Sequence, residues 1–178
     1  MQLLTQALTV LKMAGLKLKH RSGIQMNGPL WLAGKVSIQR QKGILKFGRG
    51  VRIFSGTHIS APLGMIEFGD NVFINRNCSI VSHCSIKIGA RCIFGPNVLI
   101  YDHDHNFDYE GLQQGFKASE VIIGEKCWIG GGAIILRGSR IGDGCVIGAG
   151  TIVKGEIPPR SLVVANRTTL IKPLVRRD

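Results

Sequence analysis

The chain has 178 residues, 44% of them hydrophobic and 19% charged, a balance that excludes a disordered protein and predicts a single folded domain. Its net charge of +12 does not indicate nucleic-acid binding, because the basic residues concentrate only at the two ends and no nucleic-acid motif accompanies them, so acidic small molecules or an anionic membrane surface are simpler partners. No stretch reaches the roughly 18 apolar residues that span a bilayer and no secretory signal pattern opens the chain, so we expect a cytoplasmic protein.

The N-terminal segment 1–20 predicts a short amphipathic helix. Leucines recur at helical spacing and lysines follow them: Leu3, Leu4, Leu8, Leu11, Lys12, Lys17 and Lys19. We expect this helix to cap the open end of the strands that follow, because an uncovered strand edge invites aggregation. Peripheral membrane contact is the alternative, since the segment is basic as well as amphipathic.

A six-residue repeat occupies residues 45–158. Its most regular part has an aliphatic residue at every sixth position: Ile123, Ile129, Ile135, Ile141, Ile147 and Val153. This period fits neither a helix nor an alternating strand, but it fits a short strand followed by a tight bend. Three such units close one triangular coil, so each aliphatic residue should stack on the one three units later. The predicted stacked pairs are Ile123 with Ile141, Ile129 with Ile147, and Ile135 with Val153.

The same period continues upstream in three shorter blocks: Phe47, Ile53 and Ile59; Phe68, Ile74 and Ile80; Ile88, Phe94 and Ile100. Each coil can bury its apolar edge only by stacking on a neighbour. We therefore expect about five coils, roughly 24 Å tall at the usual strand spacing, and a C-terminal tail over residues 159–178.

All five cysteines fall four positions after a repeat aliphatic: Cys78, Cys84, Cys92, Cys127 and Cys145. This position should face the interior. Because the number is odd and no metal-type spacing occurs, we expect reduced, buried thiols rather than a disulfide framework.

The repeat has one large interruption, over residues 101–120, which begins Tyr101-Asp102-His103-Asp104-His105-Asn106-Phe107-Asp108. A coiled repeat tolerates an insertion of this size as a loop that protrudes from a corner, and such loops usually carry function. Two of the five histidines lie here. The sequence therefore predicts a functional site on this loop.

Three segments together resemble the hexapeptide-repeat acyltransferases, in particular the sugar O-acetyltransferase type that includes the maltose and galactoside acetyltransferases. These segments are residues 95–100, the histidine-containing loop, and residues 123–130. The resemblance implies an all-β fold, a left-handed parallel β-helix with the form of a triangular prism, besides the short N-terminal helix and the protruding loop. It also implies acetyl-CoA as acyl donor, no metal requirement, and a homotrimer whose active site is shared between subunits.

Within this resemblance the catalytic histidine falls on His105, nine residues after Pro96, with His103 as the alternative. Neutral imidazole has a pKa near the working pH, so it can accept the proton of a hydroxyl that attacks a thioester. Three neighbours could orient the ring, and the sequence does not choose among them: Asp102, Asp104 and Asn106.

The resemblance places the other site residues on the flanking coils. Asn75, His83 and His103 are the predicted acceptor contacts, although His83 stands where some relatives carry an acidic residue and Asn75 also suits a coil corner. The amide of Gly131 corresponds to the donor that stabilises the oxyanion. The predicted CoA contacts are Trp128, Gly131 and Ala149, with Lys154, Arg167 or Lys172 at the phosphates.

These observations predict acetyl transfer to a saccharide hydroxyl, in the biosynthesis of a surface polysaccharide, with N-acetylation of an amino or nucleotide sugar as the alternative. A zinc enzyme of the gamma carbonic anhydrase type would need His83, His103 and His105 as ligands, but two of these lie in one loop rather than on stacked coils. A non-catalytic scaffold would have no need of the histidine-containing loop.

Overall fold

The computed structural model describes residues 23–108 and 111–165, in which the protein is a parallel β-helix of three sheets. Sheet A contains β1 (Ile24–Met26), β4 (Ile44–Phe47), β7 (Met65–Phe68), β10 (Ser85–Ile88), β15 (Val121–Ile123), β18 (Arg140–Ile141) and β21 (Glu156–Ile157). Sheet B contains β2 (Leu30–Ala33), β5 (Val51–Phe54), β8 (Phe73–Ile74), β11 (Ile93–Phe94), β16 (Trp128–Ile129), β19 (Val146–Ile147) and β22 (Leu162–Val163). Sheet C contains β3 (Ser37–Arg40), β6 (His58–Ala61), β9 (Ser79–Val81), β12 (Leu99–Tyr101), β17 (Ile134–Ile135) and β20 (Ile152–Val153).

The remaining strands, β13 (His103–Asp108) and β14 (Gly111–Ala118), form a separate antiparallel pair. All strands within the three sheets run parallel, and each pairs with its equivalent one coil away. The predicted helix over residues 1–20 lies outside the described residues.

The predicted stacking of aliphatic residues is confirmed by the strand register. In the register, Ile123 lies beside Ile141, Ile129 beside Ile147, and Ile135 beside Val153. The upstream blocks continue the same rows: Phe47 beside Phe68, Ile74 beside Phe94, and Ile80 beside Ile100. These side chains are buried and form one continuous core along the axis of the prism. Burying an aliphatic side chain contributes about 1.5–3 kcal/mol, so the rows supply most of the stability.

The coils extend beyond the predicted range 45–158, from Ile24 to Val163, and sheets A and B are seven strands deep rather than about five. The early coils are longer than the repeat suggests. In these coils Leu45 pairs with Ile66, across more of the chain than separates Ile123 from its partner Ile141. The cause is strand length, since β4 and β7 each have four residues whereas β16 to β20 have two. Longer sides remove the strict six-residue period, which hid the first coils in the sequence.

Four cysteines are buried and none is in a disulfide, but Cys84 is exposed, contrary to the expectation of five interior thiols. The amides of His83 and Cys84 turn inward to the Asp102 carboxylate, at 2.8 Å each, so the side chain of Cys84 faces outward. At this corner the backbone therefore binds Asp102, at the base of the insertion, and the Cys84 side chain does not contribute to the core.

Candidate functional site

The insertion is an antiparallel hairpin that leaves the prism at the end of strand β12. Its register pairs His103 with Ala118 and His105 with Phe116, and it shifts between His105 and Phe107. Because side chains alternate along a strand, His103 and His105 belong to the same face of β13. The loop predicted over residues 101–120 is thus a hairpin that presents both histidines together.

Asp102 ties this hairpin to the coil beneath it. The carboxylate is fully buried, and it accepts hydrogen bonds from the Ser82 hydroxyl at 2.6 Å and from the amides of His83 and Cys84 at 2.8 Å. Its Oδ1 also lies 3.1 Å from Nδ1 of His103. Of the three predicted orienting residues, Asp102 therefore contacts a histidine ring, that of His103.

The ring of His103 is enclosed on several sides. Its side chain is only 12% exposed, and its centroid lies 4.2 Å from that of His83 and 5.1 Å from that of Phe116. The Asp102 carboxylate fixes the ring orientation and favours the tautomer with hydrogen on Nδ1. An imidazole held in this way is a preorganised proton acceptor at Nε2.

His105 has a more open environment. Its side chain is exposed, and its ring lies 5.1 Å from that of Phe116. An open pocket of about 410 Å³ has this lining: Tyr101, His103, Asp104, His105 and Phe107. Both candidate bases therefore border one pocket, and His105 is the more accessible of the two.

His83 lies under the hairpin, and its Nδ1 is buried without a hydrogen-bond partner among residues 23–108 and 111–165. Burial lowers the pKa of its imidazole, positive charge on His103 lowers it further, and the Asp102 carboxylate opposes both effects. The structure thus brings three predicted site residues together at this corner: His83, His103 and His105.

Three contributors to the site were absent from the sequence-based prediction. Phe116 packs on the histidines from β14, Arg137 donates to the Asp104 carboxylate, and the Tyr101 hydroxyl donates to Ser79 Oγ at 3.2 Å. The register of the hairpin brings Phe116 to the histidines and the coil register brings Arg137 to Asp104, whereas Tyr101 is only two residues from His103 in the chain. One sequence signal could have indicated two of them, because the insertion has an aromatic residue at its start, Tyr101, and another near its end, Phe116.

A second group of predicted residues lies at the corner between sheets B and C. Among the described residues, the N–H of Gly131 donates no backbone hydrogen bond, and this glycine is partly exposed. Asn75 and Ala149 occupy the same corner on other coils, and Asn75 Oδ1 accepts a hydrogen bond from the Arg76 amide at 2.9 Å. Trp128 stands next to this corner on sheet B and is 55% exposed.

Within one chain, the two groups lie at opposite ends of the strands of sheet C. Strands β12 and β17 are neighbours, with Ile100 beside Ile135. The hairpin follows the carboxyl end of β12, whereas Gly131 precedes the amino end of β17. Within one chain, His105 and Gly131 therefore belong to different corners of the prism.

Of the three predicted phosphate contacts, Lys154 lies within the described residues. Lys154 is exposed just after β20, on the hairpin side of sheet C, while Arg167 and Lys172 lie outside the described residues. Within residues 23–108 and 111–165, no three His, Cys, Asp or Glu side chains are grouped as metal ligands would be. Across that same part of the chain, no helix has the length and apolarity to cross a bilayer.

Comparison with known proteins agrees with this architecture. The family described as bacterial transferase hexapeptide (six repeats) matches residues 120–155. The putative lipopolysaccharide biosynthesis O-acetyl transferase WbbJ of Escherichia coli is 31% identical over an alignment of 144 residues that covers 75% of this chain and 74% of that protein. The chain belongs to the hexapeptide-repeat acyltransferase family.

Solved structures with the same fold include one that is 30% identical to this chain. A maltose O-acetyltransferase from Clostridium difficile is 30% identical, with a TM-score of 0.53 over 88% of this chain and 73% of that one. The N-acyltransferase AntD from Bacillus cereus, solved with dTDP and 3-hydroxybutyryl-CoA, has a TM-score of 0.72 over 89% and 87% of the two chains, at 20% identity. The predicted fold class and family are confirmed, and the coil is consistent with the left-handed β-helix. The chain spans 44%, 53% and 58% of the length of three other curated relatives that it matches, about half on average.

Proposed function

We propose that this protein is an acetyl-CoA-dependent O-acetyltransferase that modifies a saccharide hydroxyl in surface polysaccharide biosynthesis. The observation that carries the proposal is the hairpin that presents two imidazoles to one open pocket beside a buried carboxylate. Family membership supports acyl transfer, and the relatives WbbJ and the maltose enzyme are both named as O-acetyltransferases.

The proposed reaction uses His105 as general base. Its imidazole removes the proton of the acceptor hydroxyl while that oxygen attacks the carbonyl carbon of the thioester. The resulting oxyanion accepts a hydrogen bond from the Gly131 amide, which has no other backbone acceptor among the described residues. When the tetrahedral intermediate collapses, the C–S bond breaks, and the imidazolium returns its proton to the departing CoA thiolate.

His103 is the alternative base, and each candidate has support from the structure. His105 matches the motif position and is exposed to an acceptor. His103 is oriented by the Asp102 carboxylate at 3.1 Å but is only 12% exposed. We assign proton removal to His105 because an acceptor hydroxyl must reach the base directly.

The proposed site is shared between subunits of a homotrimer. The hairpin lies at the carboxyl ends of the sheet C strands and Gly131 at their amino ends. The hairpin of one subunit would therefore meet the Gly131 corner of the next. CoA would lie in that groove beside Trp128 and Ala149, with Lys154 or Arg167 at the phosphates. A cytoplasmic location, with peripheral membrane contact through residues 1–20, completes the proposal.

The test measures thiol release from acetyl-CoA with a panel of sugars, nucleotide sugars and amino sugars. We expect His105→Ala to lower kcat by about a hundredfold or more, the range for loss of a general base. His58→Ala is the matched control, since His58 lies on β6 and contacts Ser37 Oγ at 3.2 Å. A variant His103→Ala that is inactive beside an active His105→Ala would transfer the role to His103. Turnover of amino sugars alone would contradict O-acetylation.

A further inference from the structure

The ring of His83 packs against two side chains of the hairpin, which also contact each other at 5.1 Å between ring centroids. Its centroid lies 4.2 Å from that of His103 and 4.1 Å from that of Phe116, with interplanar angles of 56° and 42°. His83 belongs to the corner between β9 and β10, so it supports the hairpin from the coil beneath. Both strands of the hairpin, β13 through His103 and β14 through Phe116, thus pack on the ring of His83.

The surroundings of His83 favour an uncharged ring. Its Nδ1 is buried and has no hydrogen-bond partner in the part of the chain that the structure describes, so protonation there would bury an N–H group without an acceptor. The neutral ring with hydrogen on Nε2 leaves only a lone pair unsatisfied, which costs less than an unpaired charge. The lowered pKa of His83, caused first by burial, agrees with this geometry.

The charged and titratable groups around His83 come from both elements that pack against it. The hairpin side contributes His103 and His105, whose positive charges disfavour a proton on His83. The coil side contributes Asp102, which favours that proton, and Cys84, a thiol whose pKa is raised by burial. Asp102 already accepts hydrogen bonds from three donors besides His103, so its charge is partly neutralised by the corner.

We propose that His83 is a positioning residue whose uncharged ring is the platform that holds the catalytic hairpin in place. This inference rests on the proposed acetyl transfer, but it differs from the acceptor contact predicted for His83. Nδ1 is buried and cannot reach a saccharide acceptor, and the ring packs against those of His103 and Phe116. His83 therefore supplies ring packing under the hairpin, and the neutral ring is the form that leaves no unpaired N–H at its buried Nδ1.

The proposal predicts a pH-dependent hairpin. The pKa of His83 is lower in the packed hairpin than in a free one, so the free ring binds its proton first as the pH falls. Packing is complete above the ordinary histidine pKa and weakens below about pH 6.5. Activity at acidic pH should then fall more steeply than loss of one base proton allows, because protonation also releases the hairpin.

The test compares His83→Ala with His83→Phe, which keeps a flat ring and removes both nitrogens. Amide hydrogen exchange of residues 103–118 and kcat against pH are measured for both, with His58→Ala as control. At pH 7.5 we expect His83→Ala to accelerate hairpin exchange and to lower kcat, each by about tenfold, as small displacements of reacting groups do. His83→Phe should stay within about threefold of the parent and should retain hairpin protection below about pH 6.5, where the parent loses it.

Two results would overturn the proposal. Hairpin exchange in His83→Ala equal to that of the parent would show that His83 does not support the hairpin. A variant His83→Phe as inactive as His83→Ala, with normal exchange, would show that the nitrogens act directly, as an acceptor contact would. Hydrogen exchange decides the positioning role even if no acceptor is acetylated, so failure of the proposed function remains distinguishable.

Discussion

At the scale of single residues, Asp102 controls the placement of the site, because both carboxylate oxygens are used. Oδ2 accepts from the Ser82 hydroxyl and the Cys84 amide, while Oδ1 accepts from the His83 amide and contacts His103 Nδ1. An amide side chain has the same shape, but whichever way it turns, its NH2 group would face two donors. The position therefore requires a carboxylate.

We predict that Asp102→Asn destabilises the protein by about 1–3 kcal/mol, the cost of leaving buried polar groups unpaired. It should also lower kcat, because the hairpin begins at the next residue. The measurement is the urea midpoint at fixed protein concentration, together with thiol release. Asp143→Asn is the control, since the exposed Asp143 accepts from the Glu125 amide at 2.7 Å. Equal midpoints for the two variants would contradict this account of Asp102.

The sequence pattern placed both histidines in the insertion but did not predict their contacts. The motif identified His103 and His105, and it named Asp102 together with two neighbours as possible orienting groups. The structure separates these neighbours, because Asp104 pairs with Arg137 while Asp102 holds His103. Arg137 lies far beyond Asp104 in the chain, and a contact at that separation depends on the insertion length and on the coil register.

At the scale of elements, the six-residue period predicted which side chains share a row, because inward positions must align when coils stack. It did not predict coil length. Leu45 pairs with Ile66, Ile123 with Ile141, and Ile141 with Ile157, so the chain length between partners shortens toward the C-terminal coils. Strand length and corner residues set this length, and both can change while the inward positions stay aligned. The first coils were missed for this reason.

The row of buried aliphatic side chains continues across the insertion, which predicts how much one member of the row contributes to stability. Ile135 is fully buried on β17 and lies beside Ile100 in the register, although the hairpin separates them in the chain. Ile135→Ala should lower the free energy of unfolding by about 2–5 kcal/mol, as truncation in a close-packed core does. The exposed Ile44 on β4 is the matched control, and Ile44→Ala should change it by about 0.5 kcal/mol or less. Urea unfolding at equal protein concentration measures both, and similar losses would contradict the row as the main stabilising element.

At the scale of the whole molecule, the outer faces of the prism differ in chemistry. Sheet A carries ion pairs between neighbouring coils: Lys46 with Glu67 at 3.3 Å, and Lys87 with Glu120 at 2.7 Å. Exposed pairs of this kind contribute little stability but keep a face soluble. Sheet B instead carries an outward-facing apolar row, exposed or partly exposed and in register along its carboxyl-terminal coils: Ile93, Trp128, Val146 and Leu162. A contiguous apolar row between polar surroundings is typical of an interface.

This contrast predicts that sheet B rather than sheet A contributes to the interface of the proposed trimer. Ile93 is 51% exposed beside Trp128 and has no part in the proposed chemistry, so Ile93→Lys places a charge in the interface. The variant should sediment as a monomer at concentrations where the parent is a trimer, and it should lose acetyl transfer, because one chain alone separates His105 from Gly131. Glu156→Lys on sheet A is the control, and it should keep both the assembly and the activity because Glu156 lies exposed on the charged face. A monomeric Ile93→Lys protein with full turnover would overturn the shared site, since it would show that a single prism contains every group the reaction needs.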